Sequence, residues 1–262
     1  MNKFKKNLKK LIKGNVYNPR DEHDACGVGF IASTEGKKSR KIVEYGIEAL
    51  KAIWHRGAVD ADGKSGDGAG IQIEIATDFF KEKIISTGQT PDETKRICVG
   101  MVFLPRTDYA DQEKCREIIE SVLLEENYHI YGWRQVPFNS NVLGKTAEQS
   151  RPEIAQVMFK KNENLQTNDL ERDLFETRKK IEKLARENQL KNFYICSFSS
   201  RSIVYKGMFL AEMLAEFYPD LNDKKLTSRF AIFHQRYSTN TFPSWDLAQP
   251  FRTLAHNGEI NT

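Results

Sequence analysis

The order of the apolar segments restricts the fold of this chain more than any single motif. Strand-like runs follow one another directly. Tyr128–Val136 and Ile154–Phe159 flank a loop holding Pro137, Gly144 and Pro152. Phe193–Phe198 is followed at once by Ser202–Tyr205, which reads as a hairpin with Cys196 inside it. Parallel neighbours need a long crossover, so strands joined this closely favour antiparallel pairing. The chain reads as α+β, two stacked sheets with helices outside, rather than a doubly wound parallel sheet.

Periodicity supplies the other elements. A strand is expected at 27–32, then a helix whose apolar face is Val43, Ile47, Leu50 and Trp54 and which Gly57 ends. Residues 60–70 read as a glycine-rich loop, 71–77 as a strand, 78–86 as a short helix and 97–104 as a buried strand. Residues 111–125 form an amphipathic helix with Cys115, Ile118, Ile119 and Val122 inward, and 168–188 another with Leu170, Leu174, Ile181 and Leu184 on one side. A short helix is expected at 207–217 and an apolar segment at 230–233. With no internal repeat or low-complexity linker, 26–262 reads as one domain.

Composition excludes several classes. A hydrophobic content of 39% is that of a globular chain. No uncharged apolar run approaches the about 18 residues that a membrane helix needs. The net charge of +4 lies wholly in residues 1–25, which hold seven Lys/Arg against three Asp/Glu. The rest is neutral, so its composition suggests neither a nucleic-acid nor a membrane partner. Phe4, Leu8, Leu11 and Ile12 have helical spacing in this leader, but it lacks the continuous apolar core of a secretory signal. A solvated tail or removable propeptide is expected over a membrane-surface or targeting helix. Cysteines 26, 98, 115 and 196 form no Cys-x-x-Cys pair, which argues against structural zinc and a disulfide framework and for a reducing cytoplasm.

Two motifs fail on spacing. Gly63-Lys64-Ser65 lacks the glycine that a phosphate loop needs at 58, which is Ala58, and it leads into a strand rather than a helix. Asp60, Asp62 and Asp67 lack the closing glutamate of a calcium loop. His55, His234 and His256 show no metal-ligand spacing.

The chemistry gathers on Cys26. It is followed by Gly27-Val28-Gly29-Phe30-Ile31, whose two glycines leave the backbone bare for a close neighbour. A thiol nucleophile needs a base and oxyanion donors. A histidine could serve as base, as in a papain-like enzyme. Cleavage before Cys26 would instead give it a free α-amine, which titrates near about 8 and can accept the thiol proton. Downstream, the Asn257 amide and the Gly258 N–H could hold an oxyanion, and the planar fork of Arg236 suits a carboxylate. An Asn-Gly turn and a surface arginine are the plainer readings of the same residues.

Five blocks together resemble the amidotransferase domain of the glutamate synthase large subunit: Cys26-Gly27-Val28-Gly29-Phe30, Trp54 to Asp60, Gly66-Asp67-Gly68-Ala69-Gly70, His234 to Asn240 and His256 to Thr262. Tyr131 to Pro137 and Tyr205-Lys206-Gly207-Met208 match as well. The resemblance implies a class II glutamine amidotransferase with the N-terminal nucleophile hydrolase fold, an αββα four-layer sandwich, truncated at its C-terminus. It implies Cys26 as nucleophile, Asn257 and Gly258 as oxyanion donors, Arg236 on the substrate α-carboxylate, Thr239 and Asn240 lining the same pocket, and Arg56 bracing the Cys26 loop. Ammonia would pass to later domains with FMN and an iron–sulfur cluster, served by an NAD(P)H-oxidising small subunit or ferredoxin, for glutamate synthesis from 2-oxoglutarate. An amidophosphoribosyl-type amidotransferase and a non-catalytic domain of the same fold are the alternatives. The resemblance also places a ligand for the substrate α-ammonium beyond Thr262. The isolated chain is then expected to be inactive and poorly soluble, with Phe230–Phe233 and Phe251–Leu254 uncovered.

Overall fold

A computed structural model describes residues 6, 12–13, 27–236 and 241–252, without the side chain of Arg56. From the leader only Lys6, Ile12 and Lys13 are described, all helical and exposed. The chain runs β1 (Val28–Ala32), α1 (Arg40–Ala52), β2 (Ser65–Glu74), α2 (Thr77–Ile85), β3 (Cys98–Leu104), α3 (Tyr109–Glu125) and β4 (Tyr128–Gln135). It continues with α4 (Lys145–Gln149), β5 (Glu153–Lys161), α5 (Thr167–Glu187), β6 (Tyr194–Ser199), β7 (Ser202–Phe209), α6 (Leu214–Phe217) and β8 (Phe230–Gln235).

Among the described residues the strands form two four-stranded sheets, β1-β8-β2-β7 and β4-β5-β3-β6, antiparallel throughout. The fold is thus mixed α and β with antiparallel sheets. Strand β3 shows how the sheets are covered. Val99, Met101 and Phe103 join one apolar core, which includes β2, β7 and α1. Cys98, Val102 and Leu104 join a second core with Cys115, Ile119 and Val122 of α3 and Leu170, Leu174 and Ile181 of α5. A near-continuous apolar run marks a strand buried on both faces. The cap of α3 is local: the Asp108 side chain accepts from the Asp111 N–H at 3.0 Å. On the first sheet α1 packs closely, because a Cβ at Gly46 would stand 2.7 Å from that of Ala231. Among the described residues no helix is long and apolar enough to cross a membrane.

Several expectations need correction. Strands β6 and β7 are not a hairpin: β6 pairs with β3 and β7 with β2, in different sheets. Their two-residue link is a corner, fixed by the Glu171 carboxylate, which accepts from Ser199 Oγ, Ser200 Oγ and Ser200 N–H at 2.7–2.8 Å. Residues 65–70 are strand, not loop, and 207–209 are strand, not helix. Trp54 lies in a 3-10 turn after α1 ends and is 61% exposed, off the apolar face. Phe230–Phe233 is not left bare, since β8 runs between β1 and β2.

Candidate active site

Three sequence blocks meet at one end of the first sheet. Strand β1 begins there, β8 ends there and β2 starts there. In the pairing of β1 with β8, Gly29 lies opposite Phe233, and a Cβ on Gly29 would fall 2.2 Å from the ring. The ladder ends with Gln235 N–H donating to the Gly27 carbonyl at 2.6 Å. The residue after Cys26 is therefore fastened to the residue before Arg236. Arg236 N–H in turn donates to the Gly68 carbonyl at 2.8 Å. The Gln235 side chain is fully buried and fills the space where a Cβ on Gly57 would be, 2.3 Å from its Nε2. Gly57 follows Arg56, so the Trp54–Asp60 block reaches the same place.

The Arg236 guanidinium is half-buried. Its Nη2 donates to Thr241 Oγ1 at 2.6 Å. Its Nη1 is buried and has no hydrogen-bond partner among the described residues. Burial pushes the guanidinium below its ordinary value, and the carboxylates of Asp67 and Asp246 act against that push. A buried donor without a partner costs stability unless something accepts from it. An arginine that commits one arm to the protein and keeps the other is suited to an anionic ligand.

Of the expected site residues, Cys26, Thr239, Asn240, Asn257 and Gly258 lie outside the described residues, as does the side chain of Arg56. Those described are brought together: Arg236, the backbone of Arg56 and the Gly27 that follows Cys26. Sequence reading missed Gln235, Asp67 and Thr241. A buried polar residue ending an apolar strand was the available signal for Gln235.

The two other blocks meet in the core. Arg134 donates to Asp220 through both arms (2.8 and 2.5 Å) and to Gln156 Oε1 at 2.7 Å. Tyr205 OH donates to Asp220 at 3.2 Å and accepts from Gln156 Nε2 at 3.3 Å. Asp62 lies in the stretch that resembles a calcium loop. It accepts from Lys64 N, Ser65 N, Ser65 Oγ and Thr146 N, and the Ser65 hydroxyl first, then these amides, hold it far below the usual carboxylate range. Its role is to fasten the start of β2. Among the described residues no group of three or more His, Cys, Asp or Glu could hold a metal ion.

The sequence model of the class II glutamine amidotransferases matches residues 26–262. The chain belongs to this family. It is a glutamine amidotransferase domain, and such domains are enzymes. Among its relatives, the NADPH glutamate synthase large chain of Azospirillum brasilense is 57% identical over 259 residues, which cover 99% of this chain and 17% of that protein. The ferredoxin-dependent glutamate synthase of Pyropia yezoensis is 47% identical over 92% of this chain and 16% of its own length. The chloroplastic ferredoxin-dependent enzyme of Oryza sativa is 43% identical over 92% and 15%. The chain thus spans at most 17% of these relatives.

Proposed function

We propose that this chain is the glutaminase part of a glutamate synthase. The observation that carries the reading is the fastening of Gly27 to Gln235, which joins the chain leaving Cys26 to an arginine with one uncommitted arm. The two antiparallel sheets with α1 against one and α3 and α5 against the other fit an αββα four-layer sandwich. Residues 1–25 are a propeptide, and cleavage frees the α-amine of Cys26.

In this mechanism the α-amine takes the thiol proton and the Cys26 thiolate attacks the side-chain carbonyl carbon of glutamine. The Asn257 amide and Gly258 N–H hold the oxyanion. The α-ammonium returns the proton to the departing nitrogen, which leaves as ammonia, and a glutamyl thioester remains. Water, deprotonated by the same amine, cleaves the thioester to glutamate and restores the thiol. Arg236 holds the substrate α-carboxylate, Thr239 and Asn240 line the pocket and Arg56 braces the nucleophile loop. Ammonia then serves the reductive amination of 2-oxoglutarate elsewhere in the full-length protein, where FMN, an iron–sulfur cluster and a reducing partner supply electrons. The three described cysteines are free and buried, which fits a reducing compartment such as the cytoplasm.

The test is Cys26→Ala together with N-terminal mass spectrometry. Glutamine hydrolysis should vanish, and the active protein should begin at Cys26. A mature N-terminus elsewhere would remove the amine as base.

A further inference from the structure

A cavity lies at the other end of the first sheet from Arg236. Its volume is about 530 Å³. Segments far apart in sequence form its wall: residue 38 before α1, the end of β2, residues 95–97 before β3, the start of α5, the β6–β7 corner and the start of β8. Strand β8 separates it from the candidate active site. Arg229 and Phe230 line the cavity, and Arg236 follows the opposite end of the strand. A strand of this length spans about 20 Å.

The wall is cationic. Among the described residues Lys38, Lys95, Arg96, Arg201 and Arg229 line it against one carboxylate, that of Glu74. Arg229 takes up this carboxylate: its N–H, Nε and Nη2 donate to the Glu74 oxygens at 2.6, 2.8 and 2.5 Å. Lys38 Nζ donates to the Ile75 carbonyl at 3.5 Å, and Lys95 Nζ to the Asn162 carbonyl at 2.8 Å and to Asn164 Oδ1 at 2.5 Å. The guanidinium groups of Arg96 and Arg201 have no ion pair and no hydrogen bond among the described residues, and both residues are exposed. Asp78, Asp169 and Glu171 flank the wall in sequence but do not line it, and Ser199 and Ser200 donate to the Glu171 carboxylate.

Residues 26–262 are neutral as a whole, so this excess of cations is local. Like charges around one hollow repel, because salt at about 0.1 M screens only beyond about 10 Å. An anion inside relieves that repulsion, and a concave wall of one sign concentrates the field that draws it in. The two uncommitted guanidinium forks suit the paired oxygens of a carboxylate or phosphate. Apolar lining is sparse, with Ile75, Ile97 and Phe230 its apolar side chains, so the occupant has little apolar body to bury. The volume falls within the range of small-molecule sites, about 300–1,000 Å³.

We infer that this cavity binds a small multivalent anion of metabolite size, bearing carboxylate or phosphate groups, with Arg96 and Arg201 as its principal ligands. The site stands apart from the glutaminase reading, in which none of its lining residues has a part.

The test is calorimetric titration of the full chain with two probes, inorganic pyrophosphate and citrate, in metal-free buffer at low salt. At least one probe should bind saturably, and added salt should weaken it. Arg96→Ala and Arg201→Ala should each weaken binding by about 10-fold and the pair by about 10²-fold, the scale of hydrogen bonds to charged groups. Both side chains are exposed, so unfolding should change little. Should the pair fail to fold, each single variant must show its own loss. Binding of pyrophosphate alone assigns a phosphate-bearing ligand, of citrate alone a carboxylate-bearing one, and of both a site that reads charge. Two controls should keep the parental affinity. Lys179→Ala/Lys183→Ala removes two exposed charges of α5 that do not line the cavity. Arg236→Ala removes the arginine offered to glutamine. No saturable binding of either probe up to about 10 mM would overturn the inference. So would parental affinity in a folded Arg96→Ala/Arg201→Ala, or an equal loss in either control.

Discussion

Arg134 and Arg236 are both drawn out of solvent, and they use their guanidinium groups in opposite ways. Arg134 gives both arms to Asp220 and Gln156, inside a network closed by Tyr205. Arg236 gives one arm to Thr241 and leaves the other without a partner among the described residues. A closed network makes a strut, and a half-closed one makes a receptor for an anion. Both arginines lie in blocks that carry the family resemblance, which assigned Arg236 to the substrate carboxylate and gave Arg134 no role.

The largest expected effect is on the strut. Asp220→Ala strands the Arg134 charge in the core, and breaking a buried pair from one side costs about 3–5 kcal/mol. Denaturant unfolding should show that loss, while glutamine KM in the protein that remains folded stays near the parent value. Unchanged stability would mean that Arg134 is no strut. Arg236→Lys should behave conversely. A point charge cannot reproduce the fork, so glutamine KM should rise by about 10- to 10²-fold with unfolding little altered. A normal KM would take the carboxylate away from Arg236. The smallest effect belongs to Thr241→Val, which removes one acceptor worth about 0.5–1.5 kcal/mol and should raise KM by about 2- to 10-fold. An effect as large as that of Arg236→Lys would show that Thr241 itself sets the angle of the fork.

What the sequence revealed follows from the range of each signal. The periodicity of 111–125 and 168–188 is local, and α3 and α5 bury the apolar residues it marks, Leu184 only in part. Strand pairing is not local. Nothing within 193–205 says that β6 joins β3 and β7 joins β2, and adjacency suggested a hairpin. Glycines 66, 68 and 70 carry no side-chain pattern, so a strand read as a loop. What they make room for, Phe209 on one side and Ala248 and Gln249 on the other, lies far along the chain. Arg236 was singled out because a guanidinium for a carboxylate is a chemical expectation.

Among the described residues strand β1 stands at the edge of its sheet, with β8 as its one neighbour. Its ladder starts at the Gly27 carbonyl and runs forward to Ser33, whose N–H reaches the Arg229 carbonyl at 2.7 Å. Each of these bonds lies downstream of the peptide link between Ala25 and Cys26. Cutting that link would break no rung of the ladder. It would convert an amide nitrogen, which cannot take a proton at neutral pH, into an amine that can. Precursor and product would share this ladder and, apart from the lost leader, differ in the basicity of one atom, so β1 could pair with β8 before the protein acquired a reactive thiol.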